Sequence, residues 1–430
     1  MQSDLSTSCC VACYIDLEEL DMKSLVFAPE TINIAETTRM IEIAKRCRHK
    51  FRCIFFGYAD TFAYLIEQEG FEFIRMEPWL SEADIEHLWQ VDRMEKWGDP
   101  FSREQLAMRV QGEVQLFNER KPAAVVIGFT LSVTISARVA GVPLIYVMPF
   151  SYTEPFFAAK LADVPELFDN PLTRLIPEKV RKTIISYWGL HTKMWMKPFR
   201  AVAKSYGLNG FEKTIDIYQG DYNLVASAPE LTTVYELPPK WQYVGPIFAK
   251  LRGDVQDEIE RIPRDQPLIY LAMGSSANLE ILEKVMRSFA GLPYRVICPM
   301  KFHLQHSRLE IPENVYLFDW LPAHKVNPLV DLAIIHGGEG TVQTACMSGK
   351  PFVGIGLQPE QEANIDYCVR FGNALRMKRR DLSVSSLIRA IEKVLTSAEM
   401  QAKAVELKQI LERYDGPQNV SDFILNVIGE

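Results

Sequence analysis

The sequence predicts an α/β protein made of two successive parallel-sheet halves. Three observations predict it. Strand and helix patterns alternate from residue 24 to residue 148, they alternate again from 268 onward, and a charged, proline-punctuated segment at 251–267 separates the two runs. Short apolar strands that alternate with amphipathic helices bury both faces of a sheet, which is the condition for parallel pairing.

In the first run, residues 24–28 (Ser-Leu-Val-Phe-Ala) read as a strand leading through Pro29-Glu30-Thr31 into a helix with apolar positions Ile34, Met40, Ile41, Ile43 and Ala44. A strand at 51–56, a helix at 61–69 and a short strand at 71–75 follow. Residues 123–128 are a fully apolar strand, 131–140 a helix closed by Gly141, and 144–148 the next strand. At 79–118 and 150–218 the alternation gives way to long amphipathic stretches containing Trp79, Trp89, Trp97, Phe156, Phe157, Trp188 and Trp195. Insertions into such sheets sit beyond the carboxyl ends of the strands, so these are read as helical insertions that wall an apolar substrate cleft, although the core of an inserted helical subdomain is the commoner place for any one of the aromatics. The second run has strands at 268–273, 294–298, 315–318, 332–335 and 352–355. The expected domains are thus 22–245 and 268–430, both Rossmann-like, with a linker at 246–267. Residues 1–21, with Cys9, Cys10 and Cys13, are read as a flexible extension outside the fold.

Composition excludes several classes. The 430 residues carry 47 Lys+Arg against 55 Asp+Glu, a net charge of −8, and 48% are hydrophobic. A mildly acidic chain does not neutralise phosphate backbones, so no nucleic-acid partner is expected. No stretch offers the ~18 consecutive apolar residues of a membrane span, and the amino terminus has no basic region before an apolar core; a cytoplasmic protein is expected. Eight cysteines without a second metal-type pair leave a structural zinc site unsupported.

The chemistry concentrates where strands of the second run meet helices. Strand 268–273 ends in Gly274-Ser275-Ser276, and strand 332–335 ends in His336-Gly337-Gly338-Glu339-Gly340-Thr341. Glycines let the backbone approach a ligand closely, and the free N–H groups of a helix start favour an anion, so two such turns side by side suit a diphosphate. There is no Walker P-loop and no Gly-x-Gly-x-x-Gly after the first strand. No Asp-x-Asp is present either, and no metal is expected. After strand 352–355, Glu360, Gln361 and Asn364 offer a carboxylate and two amides suited to a polyol; a helix cap is the plainer role for any one of them.

As a spaced set, Trp320-Leu321-Pro322, His336 through Thr341, Gly349-Lys350-Pro351 and Glu360-Gln361-x-x-Asn364 resemble the donor-site signature of family 1 nucleotide-sugar glycosyltransferases. Tyr243-Val-Gly-Pro246 and Met273-Gly-Ser-Ser276 are similar to further motifs of that family. The resemblance is dense in the carboxyl-terminal half and only architectural in the other. It implies the GT-B fold: an acceptor domain, a facing donor domain and a last helix that crosses back. It further implies that Trp320 stacks on the nucleotide base, that Ser275, His336, Gly337, Gly338, Gly340 and Thr341 hold the diphosphate, and that Glu360, Gln361 and Asn364 serve the sugar. The donor would be a UDP- or TDP-hexose, used without a cofactor.

Glu360 stands where the family more often has Asp, and three further positions depart from the family pattern. Its ribose-binding Glu falls on Thr344, with Gln343 as the neighbouring substitute. Its catalytic His falls on Ile32 or Asn33, and the partner Asp on Gly128 or Phe129. A base must therefore come from elsewhere, unless the acceptor is already acidic; Glu30 is the first candidate, with Glu36, Asp84 and His87 behind it.

Between 174 and 204, eight basic residues (Arg174, Lys179, Arg181, Lys182, Lys193, Lys197, Arg200, Lys204) stand against the single acid Glu178, interleaved with Ile184, Ile185, Trp188, Trp195 and Phe199. This composition suits peripheral contact with an anionic membrane face, although a solvated helix face is the commoner meaning. The expected function is an inverting, metal-independent hexosyl transfer to a lipophilic or aromatic acceptor. A sugar-nucleotide-binding protein that has lost catalysis is the main alternative, and a nucleotide-sugar epimerase the second.

Overall fold

The computed structural model describes residues 22–250, 252–255, 257–274, 278–305 and 307–429. The expected extension at 1–21 and the candidate Ser275 lie outside the described residues.

Seven strands form the first sheet: β1 (Ser24–Ala28), β2 (Arg52–Gly57), β3 (Glu72–Arg75), β4 (Ala124–Ile127), β5 (Leu144–Met148), β6 (Tyr222–Val225) and β7 (Trp241–Tyr243). They are all parallel, in the order β3-β2-β1-β4-β5-β6-β7, with Val26 opposite both Ile54 and Val125. Six strands form the second: β8 (Leu268–Ala272), β9 (Arg295–Cys298), β10 (Val315–Leu317), β11 (Leu332–Ile335), β12 (Phe352–Gly354) and β13 (Ala374–Arg376). These are parallel as well, in the order β10-β9-β8-β11-β12-β13. The α/β class and the paired parallel sheets expected from the alternation are both present. The sequence pattern did not yield β6, β7 and β13.

Strand order reverses between β1 and β4 in one sheet and between β8 and β11 in the other. At such a switch point the flanking helices leave in opposite directions and open a crevice beyond the strand ends. Side-chain alternation then fixes the two faces of each sheet. Val26 and Ala28 pack under Leu106, Val110 and Phe117 of the helix Arg103–Arg120, and Leu25 and Phe27 pack under Met40 and Ile43 of the helix Ile34–Cys47. Phe27 is fully buried and stacks on Phe55 at 5.1 Å. Its truncation to alanine would cost about 3–5 kcal/mol.

The last helix, Gly416–Ile428, leaves the second sheet's domain and lays Val420 and Ile424 into the core beneath Phe27 and Met40. The chain thus passes between the sheets twice, and the two passages touch. A side chain on Gly416 would meet the Pro246 carbonyl at 2.3 Å, and one on Gly245 would meet Tyr414 at 2.4 Å.

Both insertions are helical. The first contains Glu82–Asp92 and Arg103–Arg120, each started by a serine capping box, Ser81 with Asp84 and Ser102 with Gln105. The second contains Glu154–Ala158, Pro171–Leu175, Glu178–His191 and Met196–Ser205. Among the described residues, no helix is long and apolar enough to cross a membrane.

Candidate active site

The loops after β1, β4 and β5 face those after β8, β11 and β12 across a cleft of about 220 Å³. Glycine shapes the donor-side wall. Gly274 and Gly337 take left-handed backbone, and the His336 ring fills the space beside Gly274 and Gly338, where any Cβ would lie 2.4 to 2.5 Å from the imidazole. His336 is buried, which lowers its pKa to about 4, and its Nδ1 has no partner among the described residues. At neutral pH it is therefore a neutral imidazole, able to offer a hydrogen bond without a positive charge.

Of the residues singled out in the sequence, Glu30, His336, Gly338, Gly340, Thr341, Glu360 and Gln361 line this one cleft. Gly337 and Asn364 stand just behind it: Asn364 donates from Nδ2 to the Gly337 carbonyl at 3.1 Å and also to Glu360. Gln361 is engaged at both ends, accepting from the Leu357 N–H at 2.9 Å and donating to Gln358 at 2.8 Å, so it holds the loop in shape. Burial raises the Glu360 pKa to about 8. Trp320 lies outside the cleft lining and is 39% exposed, with the edge of its ring against Gly253 of the linker.

Neither stand-in for the missing ribose carboxylate is free. Thr344 donates to the Gly340 carbonyl at 2.7 Å. Gln343 accepts from the Ile247 N–H at 3.0 Å and donates to the Ala226 carbonyl at 2.5 Å, which ties the helix Glu339–Ser348 to the first domain.

The acceptor-side wall separates the two candidate carboxylates. Glu30 accepts at 2.6 Å from Arg109, whose fully buried guanidinium lies 3.8 Å from the Tyr58 ring centre and 4.3 Å from that of Phe101. That pair is structural: breaking it would strand a buried cation. Asn33, one of the two residues that fall where the resemblance puts a histidine, caps the helix Ile34–Cys47 through the Ala35 and Glu36 N–H groups. Glu36 reaches across to the loop after β4, where Gly128 leaves room for it and the Phe129 N–H donates to its Oε1 at 2.6 Å. Its Oε2 has no partner among the described residues, and burial lifts its pKa to about 8.

Three contacts that the sequence gave no sign of close the cleft. Arg39 pairs with Glu339, Gln358 donates to Asp92 at 2.6 Å, and Ala35 approaches within 3.5 Å of the position a Cβ on Gly340 would take. A second, apolar cavity of about 340 Å³ adjoins the cleft, since Val91 and Trp195 line both; Trp97, Ile184 and Trp188 line its outer part. Val180, Ile184, Tyr187 and Trp188 form an exposed apolar face on the helix Glu178–His191. Of the basic residues nearby, Arg174, Arg181, Lys182 and Arg200 are ion-paired, to Asp169, Asp163, Glu178 and Glu212.

Two facing parallel sheets whose switch points open on one cleft, with a glycine-rich turn on one wall and an aromatic wall opposite, make up the GT-B fold. Residues 283–426 match the family described as Erythromycin biosynthesis protein CIII-like, C-terminal domain. The chain is 28% identical over 305 residues to a PGL/p-HBAD biosynthesis glycosyltransferase of Mycobacterium tuberculosis, covering 70% of this chain and 69% of that one. It is 24% identical over 409 residues to a PGL/p-HBAD biosynthesis rhamnosyltransferase of Mycobacterium bovis, covering 93% and 87%. The glycotransferase of kitacinnamycin superposes with a TM-score of 0.67 at 17% identity, over 94% of this chain and 98% of that chain. The protein is a glycosyltransferase of the GT-B fold, similar to the family 1 enzymes.

Proposed function

We propose that the protein transfers a hexose from a UDP- or TDP-hexose, with inversion and without a metal ion, to the hydroxyl of a lipophilic or aromatic acceptor. One observation carries this reading: a single cleft joins the anion turn of His336, Gly338 and Thr341 to an opposing wall of Trp89, Phe129, Tyr152, Trp195 and Tyr218 in which Glu36 keeps one free carboxylate oxygen. The sugar lies against Glu360, and rhamnose, the sugar in the name of the Mycobacterium bovis relative, belongs to the proposed class.

Glu36 replaces the missing dyad. As the acceptor oxygen bonds to the anomeric carbon, its proton passes to Glu36, and the bond from that carbon to the diphosphate oxygen breaks with its electron pair staying on the diphosphate. Glu30, held by Arg109, positions the loop. The apolar cavity behind Trp195 favours an acceptor with a hydrocarbon portion, and the exposed face at Ile184 and Trp188 favours peripheral membrane contact.

The test is turnover of a panel of UDP- and TDP-sugars with phenolic and lipid acceptors in the presence of a chelator, with the product anomer read by NMR. Transfer that persists in Glu30→Gln and collapses in Glu36→Gln is the expected result. Tight donor binding with no transfer to any acceptor would sink the catalytic reading in favour of a binding protein. Failure to sediment with anionic liposomes at low salt would remove the membrane contact.

A further inference from the structure

A diphosphate that departs without a metal needs positive charge close to the oxygen on which charge develops. His336 is neutral, and among the described residues that line the cleft Arg39 is the one cation, facing Glu30, Glu36, Asp92, Glu339 and Glu360. Arg39 belongs to the acceptor domain, three residues beyond Glu36 on the helix Ile34–Cys47. The residue is 2% exposed, yet only Nη2 is engaged, by Glu339; Nε and Nη1 have no partner among the described residues. A buried guanidinium with two idle donors is costly unless something else completes it. Glu339 is the first residue of the helix Glu339–Ser348, whose free N–H groups and dipole already favour an anion, so the carboxylate occupies the ground a phosphate would claim.

We propose that Arg39 is a diphosphate-binding residue contributed by the acceptor domain, and that Glu339 is a built-in anion that holds its guanidinium until the donor's diphosphate displaces it. The planar fork of arginine suits both partners, carboxylate and phosphate alike. The exchange moves no covalent bond. It places the cation beside the leaving oxygen and makes closure of the two domains part of donor binding. The inference rests on the proposed nucleotide-sugar reading for its ligand.

Removing either partner of this ion pair predicts a different outcome, which a mere strut between the domains does not. Binding of inorganic pyrophosphate, UDP, TDP and the free nucleosides is measured by calorimetry on the wild type, Arg39→Gln, Arg39→Lys and Glu339→Gln, with thermal melts of each. Arg39→Gln is expected to weaken pyrophosphate and the nucleoside diphosphates about 10- to 100-fold while leaving the nucleosides unchanged, the range for a lost charge-assisted contact. Arg39→Lys recovers part of that loss. Glu339→Gln is expected to tighten the same ligands or leave them unaltered. Equal weakening in Arg39→Gln and Glu339→Gln, or no effect of Arg39→Gln on pyrophosphate, overturns the proposal. Binding of pyrophosphate with these signs but without UDP or TDP binding upholds it and removes the nucleotide-sugar reading; a wild type that binds none of the anions removes both.

Discussion

Gln358 donates from Nε2 to Oδ2 of Asp92 at 2.6 Å, joining the loop after β12 to the first helical insertion. Burial raises the Asp92 pKa to about 6, and the carboxylate also raises that of Glu360 across the cleft. Asp92→Asn keeps an acceptor for Gln358 and removes the charge, whereas Asp92→Leu removes both. The expected outcome is near-normal KM for the donor sugar in Asp92→Asn and a rise of about tenfold in Asp92→Leu, the scale of one hydrogen bond to a charged group. Steady-state kinetics with the donor varied decides this; equal behaviour of the two variants would mean the bond has no part in holding the sugar loop.

The pH profile tests the proposed role of Glu36 as base. Its pKa, raised to about 8 by burial, leaves roughly a tenth of the carboxylate ionised at pH 7, and only that form takes a proton. The rate is therefore expected to climb as pH rises through about 8. Glu36→Gln should lower kcat by about 10²- to 10⁴-fold and abolish the climb. A climb that survives in the variant would assign it to another group.

Glu360 and Gln361 separate in the structure although they are adjacent in sequence. Glu360→Ala is expected to erode discrimination among donor sugars with nucleotide affinity kept. Gln361→Ala removes both the acceptor for the Leu357 N–H and the donor to Gln358, and should lower stability by about 1–3 kcal/mol. Chemical denaturation and competition between two donor sugars measure the two effects, and the assignment fails if the variants behave alike.

Glu113 predicts the pH dependence of stability. It is fully buried among the hydroxyls of Tyr58, Ser132 and Ser136, at 2.7, 2.5 and 2.6 Å, and burial lifts its pKa to about 7. With the unfolded value near 4.5, the folded state binds more protons between the two values, so this contribution is complete below about 4.5 and fades as pH rises through 7. Glu36 acts in the same direction up to about 8. Unfolding free energy is expected to fall from pH 5 to pH 8 by up to about 1.4 kcal/mol per pH unit for each group. Glu113→Gln should flatten the decline in urea titrations, and an unchanged slope would count against the assignment.

Much of this was legible because it is local. Strands β1, β4, β5, β8 and β11 are continuous apolar runs that no helix face reproduces, and the turn from His336 to Thr341 is a contiguous string of glycines beside a hydroxyl and an imidazole. Strands β7 and β13 are three-residue pieces whose side chains are largely half-buried, so no periodicity marks them. What stayed hidden is pairing at a distance. Arg39 reads as one more cation on a helix until Glu339 meets it from 300 residues away, and Asp92 and Gln358 are 266 apart. What sets Glu30 apart from Glu36 is its partner Arg109, 79 residues away, which no spacing in the loop discloses.

The double passage of the chain at Gly245 and Gly416 has a mechanical meaning. A single tether would let the donor half swivel in any direction about its linker, but two adjoining tethers leave a door hung on one pin. The Asn419 side chain bolts the returning helix to the Val244 carbonyl at 2.8 Å, so the pin is fixed to the acceptor half. The contacts across the cleft, from Ala35 to Asp92, therefore all lie on one side of this single attachment. A protease that nicks the linker would leave the two halves still joined at the pin.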